Sequence, residues 1–293
     1  MPEIQTLIHD IYRLVGKEEN WLTSDVATQF TSELTIKLQG SFSPQSRSGL
    51  RLSGLGPKCP AQLWYSIHTP LAAEPLPPWA RIKYTYGHIL EALVIAMARA
   101  TGHEVTGEQD AVSVDGVIGH RDCVIDGNIV DVKSASSLSF QEFKDGSIAS
   151  DDRFGYLDQL DGYLVGSLDD PLVRNKTTAY LLAIDKQLGH MCLYEHTARQ
   201  ESIRKRIRDY RDVIALDRAP QCTCEEVSDG KSGNYRLGNT ASYNPFKYQC
   251  HPQLRTFLYS NGPRYLTKVV RKPTRQDGSL ITEIDKHGRV VYN

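Results

Sequence analysis

Two Asp-Gly pairs, Asp115-Gly116 and Asp126-Gly127, constrain this chain more than any other feature. Asp-Gly between alternating apolar residues is the strongest short-range hairpin signal, because a two-residue type I′ turn needs left-handed backbone at both positions. The pairs predict a three-stranded meander over about 111–135. With a two-residue second loop, Ile125 pairs with Asn128, Val124 with Ile129 and Asp122 with Asp131, and His120 falls opposite Lys133. Side chains alternate along a strand. His120, Asp122, Val124, Ile129, Asp131 and Lys133 are therefore expected on one face, and Cys123, Ile125, Val130 and Val132 on the other.

Like charges directly across a strand pair are destabilising. Two such carboxylates share a proton or bind a cation. Oxygen ligands on a rigid strand suit Mg²⁺ or Mn²⁺, and Lys133 beside them would orient a water or hold a phosphate oxygen. This chemistry suits phosphodiester hydrolysis. The plainer alternative is a solvated edge hairpin, since a one-residue slip reverses every side chain.

Neighbouring segments add candidates. A helix expected from about Ala80 to Ala100, closed by Gly102, puts His88 and Glu91 on one face among Leu90, Leu93 and Val94. A second, over about 152–166, puts Tyr156, Gln159 and Tyr163 on one stripe. Such a stripe contacts phosphates and stacks on bases, or simply packs with its hydroxyls at the surface. Two helices open the chain, the second from near Ser24. The Gly- and Ser-rich stretch ending at Lys58 reads as loop. TAYLLAI and HMCLYEH read as strands joined by DKQLG, followed by a helix over about 198–216. The tail suggests a hairpin turning near Lys286-His287-Gly288. Helices packed on a sheet give an α/β or α+β class.

Charge is balanced, with 34 Lys+Arg against 35 Asp+Glu, so any nucleic acid must be held by local patches. Two are candidates: Arg199, Arg204, Lys205, Arg206, Arg208 and Arg211 on one helix, and Arg264, Lys268, Arg271, Lys272 and Arg275 with Tyr265 between them. Each reads equally well as a solvated face. The N-terminus resembles an amphipathic helix rather than a signal peptide, and no apolar run is long enough to cross a bilayer, so a reducing cytoplasm is expected. There, the six cysteines are thiols or metal ligands rather than disulfides. Cys123 and Cys192 alternate with apolar neighbours and read as core. Cys59, Cys222, Cys224 and Cys250 lie in loop-rich regions and read as a metal set.

Taken in order, Glu91, Asp122, Asp131-Val132-Lys133 and Gln159 with Tyr163 resemble the motifs of the PD-(D/E)XK nuclease superfamily, in its RecB-type exonuclease branch. The wording "YGHILEALV…GHRDCVIDGNIVDVKSAS…FGYLDQLDGYL" is similar to exonucleases of tailed bacteriophages. The resemblance implies a restriction-endonuclease-like α/β core with a central mixed sheet. It divides the chain into an N-terminal helical region and connector (1–79), a nuclease core (80–218) and a Cys-containing C-terminal region (219–293). It implies Mg²⁺- or Mn²⁺-dependent hydrolysis of single-stranded DNA or duplex ends in recombination, repair or degradation. Glu91, Asp122, Asp131 and the Val132 carbonyl would hold the metal, with His88 as an auxiliary ligand and Lys133 assisting the attacking water. Gln159, Tyr163 and Tyr156 would contact DNA. One cysteine before the core and three after it resemble iron–sulfur RecB-type nucleases, including those of CRISPR adaptation systems, and imply a [4Fe–4S] cluster. Zn²⁺ is the alternative, and His251 could replace one thiolate. Ring-shaped oligomers and helicase partners both occur among such relatives. A structure-specific endonuclease and a metal-stapled, non-catalytic DNA-binding adaptor are the competing readings.

Overall fold

The structure is a computed structural model describing residues 2–42 and 49–291. In chain order the helices are α1 (Leu7–Val15), α2 (Ser24–Phe42), α3 (Pro60–His68), α4 (Pro78–Ala100), α5 (Ser137–Lys144), α6 (Tyr156–Gly166) and α7 (Gln200–Ile214), then the short α8 (Asn239–Ser242) and α9 (Lys247–Cys250). The strands of the first part are β1 (Val105–Thr106), β2 (Ala111–Val114), β3 (Val117–His120), β4 (Cys123–Ile125), β5 (Asn128–Ala135), β6 (Thr178–Asp185) and β7 (Met191–Thr197). Those of the last part are β8 (Glu226–Ser228), β9 (Tyr235–Leu237), β10 (Arg255–Tyr259), β11 (Gly262–Lys268) and β12 (Glu283–Ile284). Two compact units result. The first comprises Met1–Gly56 and Leu76–Arg208, the second Pro57–Pro75 and Asp209–Asn293.

The first unit is built on a mixed sheet in the order β1-β4-β5-β6-β7, in which only β5 and β6 run parallel. Helices flank the sheet, giving the α/β class. Cys123, Ile125, Val130 and Val132 share one face with Tyr180, Leu182 and Ile184, and pack under Leu7 and Ile11 of α1 and Val94, Ile95 and Met97 of α4. The opposite face carries Asp131 and Lys133 toward α6, whose Gln159 and Tyr156 meet them. Phe143 of α5 packs beside Tyr156 at a ring separation of 5.9 Å.

Both Asp-Gly pairs form the expected turns. Asp115 and Gly116 have φ of 48° and 78°, Asp126 and Gly127 of 50° and 78°. The pairings Val114↔Val117 and Ile125↔Asn128 follow directly. The single meander does not form. β2 and β3 make a two-stranded sheet of their own, and His120 lies opposite Ala111 rather than Lys133. The cause is Arg121. Its side chain is fully buried, bonding Asp110 at 2.9 Å, Asp170 at 2.6 Å and Ser167 at 3.2 Å. A buried guanidinium must be paired, so the chain breaks strand geometry between β3 and β4 to reach these partners.

Other elements depart modestly from the sequence reading. α2 continues through Gly40 into the expected loop, of which 43–48 lie outside the described residues. α5 lies in a segment that carried no helical signal; Ser136 caps it by accepting from Ser139 N–H at 3.3 Å. Gly102, at φ 86°, ends α4 by donating to Arg99 O at 2.9 Å.

The second unit holds an antiparallel sheet in the order β12-β10-β11-β9-β8 over a small core of Phe257, Leu266 and Ile281. The segment carrying α3 belongs to it. Glu74 N–H donates to Pro245 O at 2.7 Å, Gln249 to Ala72 O at 2.9 Å, and Tyr65 stacks on Phe246. The tail turns at Gly288, which donates to Asp285 O, and Ile284 bridges to Val290. Among the described residues no helix is long and apolar enough to cross a membrane.

Candidate active site and metal centre

The acidic site forms where β4 leaves β5. The ladder ends at Cys123↔Val130. One residue earlier, the Asp122 carboxylate accepts the Val132 backbone N–H at 2.8 Å, taking the place of a strand carbonyl. Asp131 is 1% exposed on β5. Gln159 donates to its Oδ1 at 3.2 Å, and Lys133 Nζ lies 2.6 Å from Oδ2. Lys133 is thus the cationic partner of this buried oxygen.

Glu91 projects from α4 and is 7% exposed. Lys37 of α2 lies 2.5 Å from its Oε1, Gln109 donates to the same oxygen at 3.2 Å, and His88 is 3.8 Å from Oε2. Sequence reasoning missed Lys37 and Gln109. Gln109 also donates its backbone N–H to Asp122 O and holds φ of 57°, a left-handed conformation uncommon for a non-glycine residue. No spacing rule links either residue to Glu91.

The electrostatics follow from the enclosure. Burial pushes the Asp122 carboxyl well above its ordinary value, and Asp131 and then Glu91 push it further. Burial also raises Asp131, against the pull of Lys133. Burial would likewise raise Glu91, but His88 and Lys37 outweigh it and hold that carboxyl low. Lys133 is disfavoured by burial, yet Asp131 and Asp122 prevail and keep the ammonium charged. The site concentrates negative charge that two lysines only partly offset. Two buried carboxyls that both resist ionisation, with Glu91 adding to the same field, fit a divalent cation.

Gln159 is fully committed. It accepts from Lys133 at 3.3 Å and donates to Asp131 Oδ1 and to Tyr163 Oη, the latter at 2.6 Å. Tyr163 is only 2% exposed, and its hydroxyl accepts from Gln159 and fixes that side chain. Tyr156 is half-buried, with Lys133 Nζ 4.9 Å from its ring centre and the exposed Phe154 stacked on it at 5.8 Å.

Much of the basic helix is engaged internally. Arg199 bonds the buried Asp161 through its backbone N–H and Nε at 2.9 and 3.0 Å, Arg206 meets Asp158 at 3.1 Å, and Arg204 pairs with Asp115. His196 completes the cluster at 2.6 Å from Asp161. In the later segment Arg264 pairs with Asp229 at 2.9 Å and Lys247 covers the Tyr265 ring. Arg271 and Lys272 are exposed.

Cys59, Cys222, Cys224 and Cys250 come together within the second unit, their sulfurs all within 4.8 Å of one another. Cys59 sits at the N-cap of α3, and Cys250 ends α9. Hydrogen bonds from Cys224 and Cys250 hold the Cys59 thiol far below its usual value. Cys250 is pushed far up by its own bonds with Cys224 and Cys59. Cys224 is drawn down by Cys250, but its bond to Cys59 and burial leave it at about 12. Deprotonation is thus favoured at Cys59 and opposed at Cys224 and Cys250, and four sulfurs this close suit a metal ion. His251 Nε2 stands 3.4 Å from Cys222 Sγ. Cys123 is buried in the sheet core, as expected.

No family model and no curated protein matches the sequence. Among solved structures the chain is similar to SSO0001, at 14% identity and a TM-score of 0.38, over 78% of this chain and 97% of that one. It is also similar to the alkaline exonuclease LHK-Exo from Laribacter hongkongensis, at 14% identity and a TM-score of 0.30, over 71% of this chain and 90% of that one.

Proposed function

We propose that this chain is a Mg²⁺- or Mn²⁺-dependent deoxyribonuclease that hydrolyses DNA phosphodiesters from chain ends. The observation that carries the reading is the buried Asp131–Lys133 pair set beside Asp122 at the point where β4 leaves β5. The order of motifs shared with RecB-type nucleases supports exonuclease over endonuclease action.

Glu91, Asp122, Asp131 and the Val132 carbonyl would hold the ion, with His88 at the margin. A divalent ion held there would supply Lewis-acid polarisation of the phosphate and a more acidic bound water. Lys133, held charged, acts as a donor rather than a base: it orients the attacking water and steadies negative charge on the phosphate oxygens. Gln159 keeps Lys133 and Asp131 in fixed relation, and Tyr163 keeps Gln159 in place. Phe154 and Tyr156 offer an aromatic surface for the terminal bases. The Cys-held metal of the second unit has a structural role.

The test is degradation of end-labelled linear and closed circular DNA with Mg²⁺, Mn²⁺ or EDTA, beside Asp131→Asn and Lys133→Ala. Linear DNA should be degraded only with metal, circular DNA should survive, and both variants should be inactive. An inert wild type, or variants that cut equally well, would refute the assignment. Nicked or linearised circles would favour an endonuclease.

A further inference from the structure

The geometry of the four thiols points to a single tetrahedral Zn²⁺ ion, not the multi-iron cluster that the sequence resemblance implies. We propose a closed Cys59-Cys222-Cys224-Cys250 zinc site whose buried Asn244 acts as a positioning residue for the ligands. The inference is independent of the nuclease reading.

Size decides nuclearity. The sulfurs of Cys59 and Cys222 are 3.6 Å apart, and all four lie within 4.8 Å of one another. Around one ion with metal–sulfur bonds of about 2.3 Å, tetrahedral sulfurs stand about 3.8 Å apart. In a four-iron cluster each thiolate binds its own iron, and the intervening irons and sulfides set the thiolates farther apart than around one ion. A two-iron cluster brings thiolates together in pairs but separates the pairs. The thiol tetrahedron matches one ion and is too small for either cluster. Four thiolates with no open position suit zinc in a structural role.

The surroundings are arranged for the net negative charge of a tetrathiolate ion. Thr223 N–H donates to Cys59 Sγ at 3.3 Å, and Cys224 N–H to Cys222 Sγ at 3.4 Å. Asn244, 2% exposed, donates its side-chain amide to Cys224 at 3.5 Å and Cys250 at 3.4 Å. Its orientation is fixed, because Oδ1 accepts the Phe246 N–H at 2.8 Å and so turns the NH₂ toward the sulfurs. His251 Nε2 lies 3.4 Å from Cys222 Sγ but is not part of the set of mutually close ligand atoms, which comprises the four sulfurs. Donors of this kind orient ligands and tune the metal.

The test is to purify the full-length protein anaerobically from cells supplied with both iron and zinc, and to measure zinc, iron and acid-labile sulfide per chain. About one zinc per chain without sulfide, in colourless protein, is expected. Exchange into Co²⁺ should give the visible bands of a tetrahedral tetrathiolate site. Asn244→Leu should still bind one ion, with zinc affinity against a competing chelator lowered about 10- to 100-fold. Two or more irons with matching sulfide would overturn the proposal, as would protein with no bound metal. Unchanged affinity in a folded Asn244→Leu protein would overturn the role of Asn244.

Discussion

The carboxylate of Asp122 accepts the backbone N–H of Val132 at 2.8 Å, so an acid of the candidate site is also part of the sheet. Asp122→Asn keeps an acceptor and removes a charge that burial, Asp131 and Glu91 disfavour. A carboxyl with a raised folded value contributes stability below the ordinary carboxylate range and loses it as pH rises through that raised value. In EDTA, the variant should therefore match wild type near pH 4 and exceed it increasingly toward pH 8, while losing nuclease activity. Thermal unfolding across pH checks this, and a gap that widens toward acid would contradict it. Asp122→Ala, which leaves the Val132 N–H unsatisfied, should instead cost about 1–3 kcal/mol.

Lys133→Met should both inactivate and destabilise. It strands the buried Asp131 charge, at a cost of about 3–5 kcal/mol. The double variant Asp131→Asn with Lys133→Met should recover much of that stability and none of the activity. Denaturant midpoints and single-turnover cleavage separate the two effects.

Tyr163 and Phe154 should fail differently. Tyr163→Phe removes a hydrogen bond to Gln159 worth about 1 kcal/mol, so kcat should fall several-fold at nearly constant KM. Phe154→Ala removes an exposed ring and should raise KM about tenfold, in line with roughly 1–3 kcal/mol per stacked base. Steady-state kinetics on short single-stranded DNA distinguishes them.

Asp161 should show a pH dependence opposite to that of Asp122. Burial opposes its ionisation, but His196 and Arg199 prevail and hold its carboxyl below the ordinary value. Its contribution is present above the unfolded value and lost as pH falls through the folded one. Asp161→Asn should cost about 3 kcal/mol at pH 7, and the gap should close below about pH 4. Arg199→Ala should lower stability as well, with little change in the salt dependence of DNA binding.

Much of this was legible because local rules acted alone. Asp126-Gly127 set the register of β4 on β5, and alternation then put Val130 and Val132 toward α4 and Asp131 and Lys133 away from it. The meander failed where a long-range demand intervened: Arg121 needed Asp110, Asp170 and Ser167, partners no nearby pattern reveals. The basic helix was misleading for a similar reason. Its arginines look free along the chain, but Asp158 and Asp161 lie on another helix. Tyr163 looked like a surface residue by its hydroxyl, and its hydroxyl is in fact why it tolerates burial. The four thiols stood out through their loop-rich settings, but sequence spacing does not encode the sulfur separations that distinguish one ion from a cluster.

The second unit is interrupted in sequence by most of the first, which sets an order of events during synthesis. Cys59 leaves the ribosome 163 residues before Cys222. At translation speeds of about 5–20 residues per second, its thiol waits roughly ten to thirty seconds for that partner. The first unit gains its last residue, Arg208, only shortly before Cys222 emerges, and until then the Pro57–Pro75 segment lacks the rest of its own unit. Closure of the four-thiol set must then be one of the last steps of maturation, and a nascent chain halted before Cys222 would carry Cys59 without its thiol partners.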